Sequence, residues 1–416
     1  MLHRPTRRAL VASAGSALLL LNPPSAVAQT EWDVQPEVRP TASVVPVELL
    51  HGPHYELDPT VTTFAFLNRY TVTSDYGPFV APSDARLRRL LHEIAAIAQL
   101  NAMQETDAFK NAAMEAGKSS LRSAKSLIDD PVGTLSAIPE GIGSIFDRAS
   151  EQIHRAGRSQ YEDDPAKQML AVSSYKRDLA AKLNVDVYSS NEVLQKELNR
   201  LAWASAAGNL SLGALSMATG AVVLKVASDV RMLEQARNLV VSTPPSELSK
   251  RNRELLRNMQ VPDTIANGFL QNRVLSPRHQ TIIVTSIQSL GDIPGRGQFI
   301  AYTSSADTEE AALLFQQMAE LMAGYNTSVA PVRQITMASS LPLVSATKGS
   351  AVLLLPIDRL LWTERSARIM QNLASLQPQK PDIWMTGDTS SRTEEGLRQL
   401  GLALTQHCGK RLPLLD

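Results

Sequence analysis

The sequence predicts a mixed α/β protein, mostly helical, in which an irregular helical body precedes a small C-terminal α/β domain with a mainly parallel sheet. Three observations lead there. Ala and Leu are abundant while aromatic residues make up only 5% of the 416-residue chain, a balance that favours helices. Apolar residues recur at helical spacing through much of residues 84–325. After Tyr325 short β-rich runs alternate with helical ones, which implies strands joined by helical crossovers.

The chain opens with Arg4, Arg7 and Arg8, an uncharged run from Ala9 to Leu21, and small residues at Ser25-Ala26-Val27-Ala28. This is the plan of a cleaved export signal over residues 1–28. The apolar run is short for a bilayer span and ends at Pro23-Pro24. The mature chain is therefore expected to begin near Gln29. Thr6-Arg7-Arg8-Ala9-Leu10 also resembles a twin-arginine leader without its following lysine. Either export route implies a bacterial, extracytoplasmic protein, periplasmic or secreted.

Losing the leader removes three of the 41 basic side chains and none of the 41 acidic ones, for a formal charge of minus three. A near-neutral chain poor in aromatics is not expected to bind nucleic acid. Cys408 is the only cysteine, so intramolecular disulfides and cysteine-rich metal centres are excluded.

Residues 29–60 carry Pro36, Pro40, Pro46, Pro53 and Pro59 and read as an extended, Pro-rich lead-in. Residues 61–325 read as a mainly helical domain that begins with a strand hairpin. In it Thr62–Val72 alternates as a strand, Asp75-Tyr76-Gly77-Pro78 turns, and Phe79-Val80 pairs back. Ser83 or Asp84 caps a helix running to about Gly117. Residues 121–146 are apolar along one side with basic edges, which fits a bent surface element or, alternatively, a segment resting on a membrane.

A helical pattern returns from Asp164-Pro165, turns at Val185–Ser189, and restarts with Ser190 or Asn191 as cap. Residues 201–224 contain no charge, which fits a buried core helix or, alternatively, a membrane span; Ser205, Asn209, Ser211, Ser216 and Thr219 favour the core helix. Helices follow from Ser246, over Arg253–Met259, Asp263–Leu270 and Ser276–Leu290, then a turn at Asp292–Gly297 and a helix from Asp307 to Gly324 with Glu309 and Glu310 in its first turn.

Residues 326–416 form the predicted α/β domain. Strands are expected over Val332–Met337, Leu341–Ala346 and Ala351–Leu355, the last two as a hairpin around Thr347-Lys348-Gly349. A helix over Asp358–Leu376, a strand at Ile383–Met385, a helix over Thr393–Leu400 closed by Gly401, and a strand over Leu402–Thr405 complete it.

Few groups point to chemistry. His51 and His54 are a weak metal-ligand pair, short of the three or four ligands zinc needs unless Asp58 or Glu56 completes it, and His407-Cys408 is a second weak pair. Ser173-x-x-Lys176 and Ser189-x-Asn191 have the form of two motifs of penicillin-recognising enzymes, but the third is missing and their separation is too small. Gly117-Lys118-Ser119 lacks the rest of a phosphate loop. Thr386, Gly387, Asp388, Thr389 and Ser390 lie where a strand enters a helix, a place where open α/β sheets hold ligands; Thr389 or Ser390 serves equally as a simple helix cap. No cofactor or metal is implied. The reading is an exported envelope protein that works through interaction with a protein or the envelope surface. A membrane-associated protein using residues 121–146 and 201–224 and a cell-envelope hydrolase are the alternatives.

Overall fold

The computed structural model describes residues 32–107, 109–111, 114, 172–208, 231–338, 340–346, 351–376, 380–412 and 414–415. Within them the chain is a mixed α/β fold, as predicted.

Six strands come first: β1 (Glu37–Pro40), β2 (His51–Gly52), β3 (Tyr55–Leu57), β4 (Thr60–Phe64), β5 (Leu67–Ser74) and β6 (Gly77–Ala81). They build an antiparallel sheet in the order β1-β4-β5-β3-β2, with β6 also paired to β5. The Pro-rich stretch is thus part of a sheet and not an extended lead-in. Its prolines stand where a ladder tolerates them: Pro40 ends an edge strand, Pro53 lies in the turn between β2 and β3, and Pro59 precedes β4. The single strand expected over Thr62–Val72 instead folds back at Ala65-Phe66, whose φ angles are 49° and 75°. A two-residue hairpin turn needs this left-handed backbone, normally supplied by Gly, Asn or Asp. Here Ala and Phe adopt it at roughly 1 kcal/mol or more each, and the sequence therefore carries no turn signal.

The helix α1 (Asp84–Gln104) begins at Ser83, whose side chain accepts the Arg86 N–H. It stops at Gln104, short of Gly117, because Thr106 Oγ donates to the Met103 carbonyl and accepts the Phe109 N–H, turning the chain. Leu87, Leu90, Leu91 and Ile94 pack on the sheet, whereas Ala96, Ile97, Leu100 and Met103 pack with α2 (Val172–Leu183) and α3 (Glu192–Gly208). One helix therefore serves two apolar cores. Asn191 caps α3 by accepting the N–H groups of Val193 and Leu194.

Next come α4 (Arg231–Ser242), α5 (Pro245–Asn258), α6 (Asp263–Gln271), α7 (Pro277–Gln288), α8 (Arg296–Thr303) and α9 (Glu309–Ser328). The unanticipated α8 starts at Gly295, where φ is 92° and an added Cβ would sit 1.8 Å from the Ile335 carbonyl oxygen. Residues 115–171 and 209–230, which hold the 121–146 element, the Gly117-Lys118-Ser119 tripeptide and most of the uncharged run, lie outside the described residues. Among the described residues no helix is long and apolar enough to cross a membrane.

The remaining elements are β7 (Val332–Ala338), β8 (Leu341–Ala346), β9 (Ala351–Leu355), β10 (Arg359–Leu360), α10 (Glu364–Ala374), β11 (Asp382–Met385), β12 (Asp388–Thr389), α11 (Ser391–Leu400) and β13 (Leu404–Thr405). Five of these strands form a sheet in the order β13-β11-β9-β8-β7. It is mixed rather than mainly parallel: β9, β11 and β13 run parallel, while β7, β8 and β9 pair antiparallel. The turn residues 347–350 lie outside the described ones. Val352 to Leu355 are buried in succession, so β9 is covered on both faces. One apolar interior runs from Leu256 to Leu414. It passes through position 325, and the helices α5–α9 share it with the C-terminal sheet.

Candidate functional site

The parallel strands β9 and β11 end side by side. The chain leaves β9 through Pro356-Ile357-Asp358 and leaves β11 through Thr386-Gly387, and the two exits are laced together. Thr386 N–H donates to the Leu355 carbonyl at 3.1 Å, Gly387 N–H to Ile357 at 2.9 Å and Asp388 N–H to Asp358 at 3.0 Å. The approach is close enough that a Cβ on Gly387 would lie 1.9 Å from the Asp358 carbonyl oxygen. Only glycine fits there.

Asp358 is the hub. Its Oδ2 accepts the Asn68 N–H at 2.9 Å and the Asp84 N–H at 3.1 Å. The first comes from β5 and the second from the first turn of α1, so this carboxyl caps a helix that is remote in sequence. The carbonyl of Phe66, in the left-handed hairpin turn, accepts the N–H groups of both Asp358 and Arg359 at 3.1 Å. The helix expected from Asp358 starts only at Glu364, where Thr363 and Ser366 form the capping box. Beside the hub, Asp84 Oδ1 accepts the Tyr70 hydroxyl at 2.6 Å and the Asn68 amide at 2.8 Å. Burial, and then the neighbouring Asp84 charge, hold the Asp358 carboxyl well above the usual carboxylate range, and the same two causes raise the Tyr70 hydroxyl.

A half-open cleft lies against this hub. Helix α1 contributes Asp84 and Arg88, one turn apart and on one face. Helix α9 contributes Glu310, Leu313, Leu314 and Gln317, the spacing of a single helical stripe. The exits from β9 and β11 contribute Asp358, Thr386 and Gly387. This is the carboxyl end of parallel strands, where α/β sheets hold ligands.

The sequence-predicted residues divide sharply. Thr386 and Gly387 line the cleft, with Thr386 Oγ donating to the Ile357 carbonyl at 3.0 Å. Asp388 instead pairs with Arg359 at 2.8 Å and Arg39 at 3.4 Å. Thr389 Oγ donates to Glu394 at 3.3 Å, and Ser390 caps α11 by accepting the Thr393 N–H. His51 is exposed in β2, His54 pairs with Asp75 at 2.9 Å, and Asp58 is exposed. His407 is exposed, and Cys408 is buried, which pushes its thiol up to about 12. Among the described residues no three His, Cys, Asp or Glu side chains are placed to hold a metal ion. Ser189 and Asn191 both donate to buried Glu93, at 2.6 and 3.0 Å, so they organise the turn before α3. Ser173 is buried in α2.

A second polar cluster lies elsewhere, at the start of α7. The buried Asp186 carboxylate faces Arg278 at 3.6 Å and Arg89 at 4.0 Å. His279 Nδ1 accepts the Ser276 N–H at 3.2 Å, while its Nε2 is buried without a hydrogen-bond partner. Burial first, and then the Arg89 charge, push this imidazole down to about 4.

Set beside protein-family models, curated proteins and solved structures, the chain matches none.

Proposed function

We propose that the protein is exported to the bacterial cell envelope and acts there through recognition rather than catalysis. Its leader, with Arg4, Arg7, Arg8 and the Ala26-Val27-Ala28 ending, supports export. The observation that carries the second half is how the hub spends its groups: Asp358 Oδ2 is committed to two backbone amides of the fold. The two hydroxyl side chains of the cleft are committed too, Ser83 as a helix cap and Thr386 to a backbone carbonyl. No histidine, cysteine or lysine lines the cleft among the described residues. Acyl transfer to a side-chain nucleophile needs a hydroxyl or thiol paired with a base, and among the described residues this wall has no such pair.

Two measurements test the reading. Fractionation followed by N-terminal sequencing should recover the chain outside the cytoplasm, beginning near Gln29. A cytoplasmic product retaining Met1 would defeat the export half. The purified protein should leave a panel of peptidase, amidase, esterase and glycosidase substrates intact. Turnover that disappears in Asp84→Asn would defeat the non-catalytic half.

A further inference from the structure

Arg88 stands four residues after Asp84 on α1, a spacing at which opposite charges ordinarily pair. They do not pair here, because Asp84 Oδ1 is turned to Tyr70 and Asn68. Among the described residues the Arg88 guanidinium makes no hydrogen bond or ion pair; it faces Asp358 only at longer range. Across the cleft Gln317 is only 6% exposed, yet its side-chain amide has no hydrogen-bond partner among the described residues. An amide that lines a cleft without a hydrogen bond to the described residues is open to a ligand. Among the described residues Asp84 accepts side-chain hydrogen bonds on Oδ1 and not on Oδ2, and Glu310, which also lines the cleft, is exposed. Leu67, Leu313 and Leu314 supply an apolar wall.

We infer that this cleft binds a small zwitterion, a free apolar α-amino acid in its simplest form, with Arg88 and Gln317 taking the carboxylate and Asp84 and Glu310 taking the ammonium. A lone anion would meet the Asp84 and Glu310 charges, and a lone cation would meet Arg88. A molecule carrying both signs matches both walls, while its side chain lies on the leucines. A guanidinium and a carboxamide are suitable donors to one carboxylate. The inference rests on the reading that the protein recognises rather than converts its ligand.

The experiment titrates the purified full-length mature protein with L-alanine and L-leucine, followed by calorimetry and by thermal unfolding. Propionate and ethylammonium, which each carry one of the two charges, serve as comparisons. The amino acids should bind saturably and raise the melting temperature, and the single-charge compounds should do neither at the same concentration. Arg88→Gln and Gln317→Leu should each weaken binding about tenfold or more. Both should keep the wild-type unfolding curve without ligand, since neither side chain makes a hydrogen bond or ion pair among the described residues. Absence of saturable binding at millimolar amino acid would overturn the site and leave the non-catalytic reading standing, as would unchanged affinity in both folded variants. Binding accompanied by cleavage of an added dileucine peptide would uphold the site and overturn the non-catalytic reading.

Discussion

Asp358 and His279 are both buried ionisable groups, and the fold treats them in opposite senses. Burial favours the neutral form of each, which lifts the acid and lowers the base. A neighbour of the same charge sign adds to the effect in both cases, Asp84 for the carboxyl and Arg89 for the imidazole. The difference lies in what each one joins. Asp358 ties β5, α1 and the turn of the β4–β5 hairpin to the C-terminal sheet, whereas His279 closes the first turn of its own helix. One physical cause, burial, thus gives two opposite pH dependences. The folded pKa of Asp358 lies above its unfolded value, so its contribution to stability is complete below about 3.8 and is lost as pH rises through the raised value. His279 has a folded value below the unfolded one, so its contribution is complete above 6.5 and is lost as pH falls towards about 4.

The largest expected effect breaks the hub outright. Asp358→Ala leaves two backbone N–H groups without their acceptor and should cost roughly 2–5 kcal/mol in urea unfolding. Next, the wild type should lose on the order of 3 kcal/mol of the His279 contribution between pH 6.5 and about 4. His279→Gln, which keeps a capping-box side chain but cannot titrate, should remove that portion of the slope. An identical slope in the variant would show that other groups set the acid limit. Gly387→Ala should cost about 1–3 kcal/mol by pushing the β11 exit off Asp358. The smallest effect runs the other way: Ala65→Gly relaxes a left-handed residue and should raise stability by about 1 kcal/mol.

Local signals were readable in the sequence, and long-range ones were not. Ser83, Asn191 and Ser390 are caps whose acceptor serves the helix directly after them, and each was visible as one of two adjacent candidates. The β7–β8–β9 strands, α10 in its main span and the Gly401 stop were visible for the same reason. Asp358 has the same cap chemistry but spends it on α1, 274 residues earlier, so the sequence misplaced the start of α10. The Ala65-Phe66 turn carries none of the residues that ease positive φ. Of the cleft, Thr386 and Gly387 were legible from their place after a strand. Arg88 and Gln317 were not, because their significance lies in partners they lack in three dimensions, which a linear chain cannot display.

Asp358 is a buried joint between the N-terminal sheet, α1 and the C-terminal sheet. Asp358→Asn tests it cleanly, since one amide oxygen can accept both N–H bonds while the side chain no longer ionises. Urea unfolding of wild type and variant should be compared in steps from about pH 4 to pH 8. The stability of the variant relative to the wild type should climb as pH rises, because only the wild type must then either ionise a buried carboxyl or unfold. A difference that stays constant across that range, or that falls as pH rises, would show that Asp358 is not held neutral by burial in the fold.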